Sequence, residues 1–154
     1  MPALAHESWV RGEWLEADNR STCGPITFGQ VADRGGKPRP AHFAGGWSVA
    51  FDLPDKRSAY GIAGAGVETM PEEELRGRWP YSMSLDTLPE GSFAGYGVEG
   101  AENYPADDPE GNSVKSLAYV RVAGQDCLYN VWSNLGRAHL EVMLGSLGMV
   151  ETAS

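Results

Sequence analysis

Three histidines and two cysteines limit the nucleophilic and acid–base chemistry this sequence can offer. A Ser-His-Asp or Cys-His arrangement needs a histidine as base, so it must use His6, His42 or His139. His42 is the strongest choice. It lies in a loop beside Arg39 and Phe43, just before the apolar run that starts at Trp47, and loops carry function more often than cores do. Asp33 or Asp52 could orient its ring, and Ser48, Ser82 or Cys23 could supply a nucleophile. No spacing in the sequence brings these residues together, and no G-x-S-x-G elbow is present. His139 follows Ala138 at the margin of an apolar helical stripe, where it reads as a boundary residue. The cysteines and histidines show no paired spacing of the kind zinc requires.

Two further stretches resemble ligand sites. Gly95-Tyr96-Gly97-Val98-Glu99-Gly100 matches G-x-G-x-x-G. A dinucleotide site needs those glycines to open a helix facing the pyrophosphate. Here they run into an acidic stretch ended by Pro105, so they read instead as a strand approached closely by backbone or aromatic rings. Asp107, Asp108, Glu110 and Asn112 put four oxygen-bearing side chains in one loop, the type of ligand calcium takes. The alternating calcium-loop spacing is missing, Pro109 stiffens the middle, and a solvated loop is the plainer reading. No motif calls for a cofactor. Five tryptophans, with Tyr60, Tyr81, Tyr96 and Tyr119, supply core rings. One or two left exposed beside Arg39 or Arg78 could line a groove for a peptide or saccharide. Arg39, His42, Arg78 and Tyr96 are therefore the binding candidates. Asn19-Arg20-Ser21 is a glycosylation sequon, with meaning only in a eukaryotic secretory setting.

The net charge of −9 is unevenly placed. Residues 66–112 carry eleven acids against Arg76 and Arg78, which accounts for the whole excess. An acidic surface repels phosphate backbones, so nucleic-acid binding is not expected; the plain reading of the segment is a solvated face, and the sharper one is a docking face for a basic partner. No apolar run approaches the roughly 20 residues that span a bilayer. Cys23 and Cys127 fit either one disulfide or two separate thiols. Pro2-Ala3-Leu4-Ala5 resembles the A-x-A end of a secretory signal, which would make residues 1–5 a remnant of export to the periplasm or beyond. A natural cytoplasmic start is the alternative. In an exported protein a Cys23–Cys127 bridge would close a loop of about 100 residues.

The elements that would position these residues are short. Hydrophobic content of 42%, 20 glycines and 10 prolines describe one globular, turn-rich domain over residues 1–154. Residues 6–17 have helical spacing weakened by Gly12, and 33–41 read as a Gly/Pro loop. Trp47, Val49 and Phe51 alternate with Ser48, Ala50 and Asp52 as a half-buried strand, and Ser58–Ala63 returns as its hairpin partner across about five residues. Gly64–Gly66 end that strand. Thr69 and Glu72 form a capping box for a helix that Pro80 stops after Trp79. Ser92–Glu99 is a glycine-rich strand and 100–115 a polar loop. Ser116–Val122 and Cys127–Trp132 form a hairpin across residues 123–126. Ser133 or Asn134 caps a final helix with Leu140, Met143, Leu144 and Leu147 as its buried stripe and Gly148 as its stop. The expected fold is α+β, a mainly antiparallel sheet of about five strands with two to three helices packed on it. The closing unit, Ser116–Gly148 followed by Met149-Val150, resembles that of PsbP and Mog1-like α/β sandwich domains. That likeness implies a fold and carries no site. The expected function is a non-catalytic, exported, disulfide-stabilised domain that binds protein, peptide or saccharide. A small hydrolase built on His42 and a carboxylate is the alternative.

Overall fold

The computed structural model describes residues 4–41, 46–67, 79, 81–96, 116–125 and 127–152. His42, Arg78, Asp107, Asp108, Glu110 and the helix expected from Thr69 lie outside them, apart from Trp79 at that helix's end.

Helix α1 covers Glu7–Leu15 and begins after His6, whose backbone is left-handed at φ 52°. Strands β1 (Ile26–Thr27), β2 (Lys37–Pro40), β3 (Trp47–Leu53) and β4 (Lys56–Val67) follow, with one 3-10 turn at Gln30–Ala32 before β2. Strands β5 (Tyr81–Ser84), β6 (Phe93–Tyr96), β7 (Ser116–Arg121) and β8 (Cys127–Ser133) lead to helix α2 (Arg137–Gly145) and β9 (Gly148–Met149). Seven strands form one antiparallel sheet in the order β2-β3-β4-β8-β7-β6-β5, and β1 pairs with β9 separately. The α+β class and antiparallel pairing are as expected, whereas the described residues hold nine strands rather than about five.

The extra strands have identifiable causes. β2 is Lys-Pro-Arg-Pro, which reads as loop because proline cannot serve a central ladder. It is an edge strand, where that defect is harmless. β1 and β9 are two residues each, too short to show a period. The β3–β4 turn is only Pro54-Asp55, since Leu53 already pairs with Lys56. Gly64–Gly66 do not end β4. They form a register shift against β8, and the strand continues to Val67.

One sheet face carries Val49, Phe51, Tyr60, Ile62, Ala118, Val120, Tyr129 and Val131, all fully buried beneath α1 and α2. Stacked Phe51 and Tyr60 rings, 5.0 Å apart, and the edge of Phe28 fill its centre. The expectation that Ser48 and Ala50 face solvent fails, because both are buried. Ala50 pairs with Gly61, and the Trp132 ring lies where a Gly61 Cβ would be, so small residues let an indole cover the second face.

Helix α2 starts differently from the expectation. Its N-cap is Gly136, with no side-chain cap. β8 runs through Ser133, whose hydroxyl accepts the Leu135 N–H, and Asn134 Nδ2 donates to the Ser58 carbonyl. Gly148 is not the helix stop but pairs with Thr27 in β9. Ser146 ends the helix, and its hydroxyl also accepts the Gly29 N–H. The stripe Leu140, Met143, Leu144 and Leu147 is wholly buried, as expected.

Candidate functional site

Among the described residues, those singled out in the sequence do not converge. Arg39 Nε donates to Asp52 Oδ2 at 2.7 Å, and Asp52 Oδ1 accepts the Ser58 N–H at 2.7 Å. That backbone donor first, then Arg39, holds the Asp52 carboxyl below its ordinary range. Asp33 Oδ1 accepts the Tyr60 hydroxyl and the Gly35 N–H, and its Oδ2 lies 3.6 Å from His6 Nε2. Both carboxylates thus have structural partners. Cys23 cannot act as a nucleophile, because it is bonded to Cys127, with Cα atoms 5.1 Å apart. Ser48 is buried on the sheet's second face. Tyr96 is also buried, and its hydroxyl donates to Glu141 Oε2 at 2.5 Å. Burial, then Glu141, raises the Tyr96 pKa. Arg39 on β2 and Tyr96 on β6 are five strand spacings apart, about 24 Å. They cannot share one small ligand.

A serine–histidine pair that the sequence does not signal does exist. Ser133 Oγ lies 2.8 Å from His139 Nδ1, and His139 Nε2 lies 2.7 Å from the Ala32 carbonyl. The carbonyl can only accept, so Nε2 carries the proton and Nδ1 accepts from Ser133. Ser133 is 0% and His139 6% exposed, so no substrate reaches them. The pair ties α2 to β8 and to the 3-10 turn. Burial, with the nearby Arg34 charge, lowers the His139 pKa against the opposing pull of its Ala32 hydrogen bond. The unfolded chain therefore protonates this residue first. Its contribution to stability is complete above about pH 6.5 and is lost as pH falls toward the lower folded-state value. Urea titrations from about pH 7.5 to about pH 5.5 should show stability falling by up to about 1.4 kcal/mol per pH unit, a slope missing from His139→Gln. An equal slope in the variant would assign the effect elsewhere.

What the fold does present is a contrast between the two borders of the sheet. In β2 the Ala41 N–H bonds to the Ser48 carbonyl, continuing the β2–β3 register. Hydrogen-bonded and open positions alternate in antiparallel pairs, so residues 38 and 40 point their main chain outward. Both are proline, and this border has no outward N–H at either position. In β5 the Leu85 N–H bonds to the Ser92 carbonyl, continuing the β5–β6 register. By the same alternation, the outward positions are Ser82 and Ser84. Each keeps its N–H and carbonyl, and both side chains are exposed. Among the described residues nothing pairs with β5 on this side.

The surroundings of β5 are held by ring packing and hydrogen bonds. On the helix side, Tyr81 stacks on Tyr96 at 5.5 Å, and the Arg137 guanidinium lies 4.4 Å above the Tyr81 ring. Beyond Ser84, the loop to β6 is braced by buried Leu85 and Leu88. Ser92 Oγ donates to the Pro89 carbonyl at 2.7 Å and accepts the Ala123 N–H at 2.9 Å. Gly91 makes the return at φ +99°, a backbone region closed to most side chains. This loop and Ser84 line an open pocket of about 350 Å3 that includes Asp86, Leu88 and Glu90. Asp86 and Glu90 are exposed carboxylates, so the cavity suits a cationic group with an apolar stem. Ser82 is a candidate nucleophile by sequence. Its place is an exposed edge, with no histidine among its described neighbours in β5 and β6. No protein-family model, no curated protein and no solved structure matches this chain.

Proposed function

We propose that this chain is a non-catalytic binding domain that recognises a basic protein or peptide, acting outside the cytoplasm. The observation that carries the reading is the β5 edge, unpaired among the described residues, beside the pocket formed with Asp86 and Glu90. Charge supports it, since the entire negative excess lies in residues 66–112, the span that holds β5 and this loop. A disulfide sealed between buried Cys23 and Cys127 suits an oxidising compartment and makes a stiff platform. No helix among the described residues is long and apolar enough to cross a membrane. The expected result is binding to immobilised poly-lysine that weakens steadily as salt rises, because exposed charges are screened within about 8 Å at physiological ionic strength. Heparin resin and duplex DNA should retain nothing under the same conditions. Binding to either polyanion, or none to poly-lysine at low salt, would overturn the reading.

A further inference from the structure

We infer that the basic partner binds by adding a strand to β5, with main-chain bonds to Ser82 and Ser84 and a lysine or arginine side chain in the Asp86–Glu90 cavity. The inference rests on the binding reading above and specifies its mode. Ser82 and Ser84 offer two N–H donors and two carbonyl acceptors, in two sets about 7 Å apart along the edge. That is the pattern an extended peptide completes when it augments a sheet.

The two ends of the same sheet make the argument specific. β2 occupies one border and has proline at both outward positions. β5 occupies the other and has serine at the equivalent outward positions, with neither proline nor charge along its length. Edges open in this way recruit strands unless they are blocked. Here one border is blocked by its own prolines, and the other is unblocked among the described residues.

Side chains of an added strand would alternate between the two faces. Those on the helix side meet the half-buried Tyr81 and Met83, which packs against the core, and call for apolar groups. Those on the other side lie along exposed Ser82 and Ser84, and Ser84 also lines the cavity with Asp86 and Glu90. A long cation at that position reaches the carboxylates while its methylenes contact Leu88. The occupant is thus a segment in which apolar and basic residues alternate.

The test uses the full chain and three labelled peptides of equal composition: alternating valine and lysine, the same residues in two blocks, and the alternating peptide N-methylated at every second amide. The alternating peptide should bind about tenfold more tightly than either other form. Ser84→Pro should lower its affinity about tenfold, and Asp86→Asn with Glu90→Gln should do so while flattening the salt dependence. Ser82→Pro provides a second route should Ser84→Pro fold poorly, and the methylated peptide needs no variant at all. Equal binding of alternating and block peptides would overturn strand addition and leave general recognition of basic chains standing. Loss of poly-lysine binding as well would overturn both. Dimerisation of the wild type abolished by Ser84→Pro would assign the edge to a second copy and overturn the inference.

Discussion

Replacing Cys23 and Cys127 together by alanine is expected to cost about 2–5 kcal/mol of folding stability. The two residues are 104 apart in sequence, and a cross-link over that span removes a large part of the unfolded chain's freedom, worth roughly 4.7 kcal/mol in the chain-entropy account. Both sulfurs are fully buried, so their removal also leaves unfilled core. The bridge has close support. The Trp47 indole N–H lies 3.4 Å from the Cys23 carbonyl, the Gly24 N–H donates to Gln125 Oε1, and the Tyr129 hydroxyl donates to the Gly24 carbonyl at 2.8 Å. These bonds fasten the segment after α1 to β3 and to the start of β8. The measurement is urea denaturation of wild type against the double variant, joined to thiol titration of denatured, unreduced wild type. No reactive thiol is expected. Two per chain would reject the bridge and remove its support for an oxidising compartment.

Leu144→Ala should be nearly as costly, about 2–5 kcal/mol. Helix α2 has nine residues and no side-chain cap at its start, so it is too short to stand in water by its own propensity. Its stability comes from Leu140, Met143 and Leu144, with Leu147 just past its end, each 0% exposed. Truncating Leu144 removes apolar contact and leaves a cavity that packed neighbours fill only in part. For a chain of this size the melting temperature should fall by roughly 10 °C. Leu135→Ala makes the control. That side chain is 37% exposed just before the helix and should change stability by less than about 1 kcal/mol. A Leu144→Ala melting point within about 2 °C of wild type would show that the helix is not held by this stripe.

The parts of the fold that could be read in advance were those whose pattern is complete within one local stretch. The hairpin of Ser116–Val122 with Cys127–Trp132 across a short turn, and the helical spacing of Leu140, Met143, Leu144 and Leu147, are each contained in one stretch, because a tight turn and a 3.6-residue repeat are local features. The glycine at 95 was legible as a close approach, and Trp79 occupies the space a Cβ there would need. The position of β2 was not legible. Lys37–Pro40 lacks every strand preference, and only its place at a border, with both prolines facing outward, makes it tolerable. The candidate site was illegible for the same reason. Ser82 and Ser84 are ordinary residues in a four-residue segment, and their importance comes from having β6 on one side and no described strand on the other.

The serine–histidine pair makes the division plain. Ser133 and His139 are six residues apart and separated by a turn, and nothing in their spacing joins them. Packing α2 back onto β8 brings them to 2.8 Å and seals them from water, which turns a catalytic-looking pair into a structural tie. By itself the sequence determined the α+β class, the closing hairpin and helix, the apolar stripe and the concentration of negative charge, since each follows from local periodicity or from composition. Only the tertiary structure decided which strands became borders, whether the two cysteines met, and which polar groups were sheltered or left open. Those outcomes depend on contacts between residues as far apart as Cys23 and Cys127, and local physical preference cannot encode them.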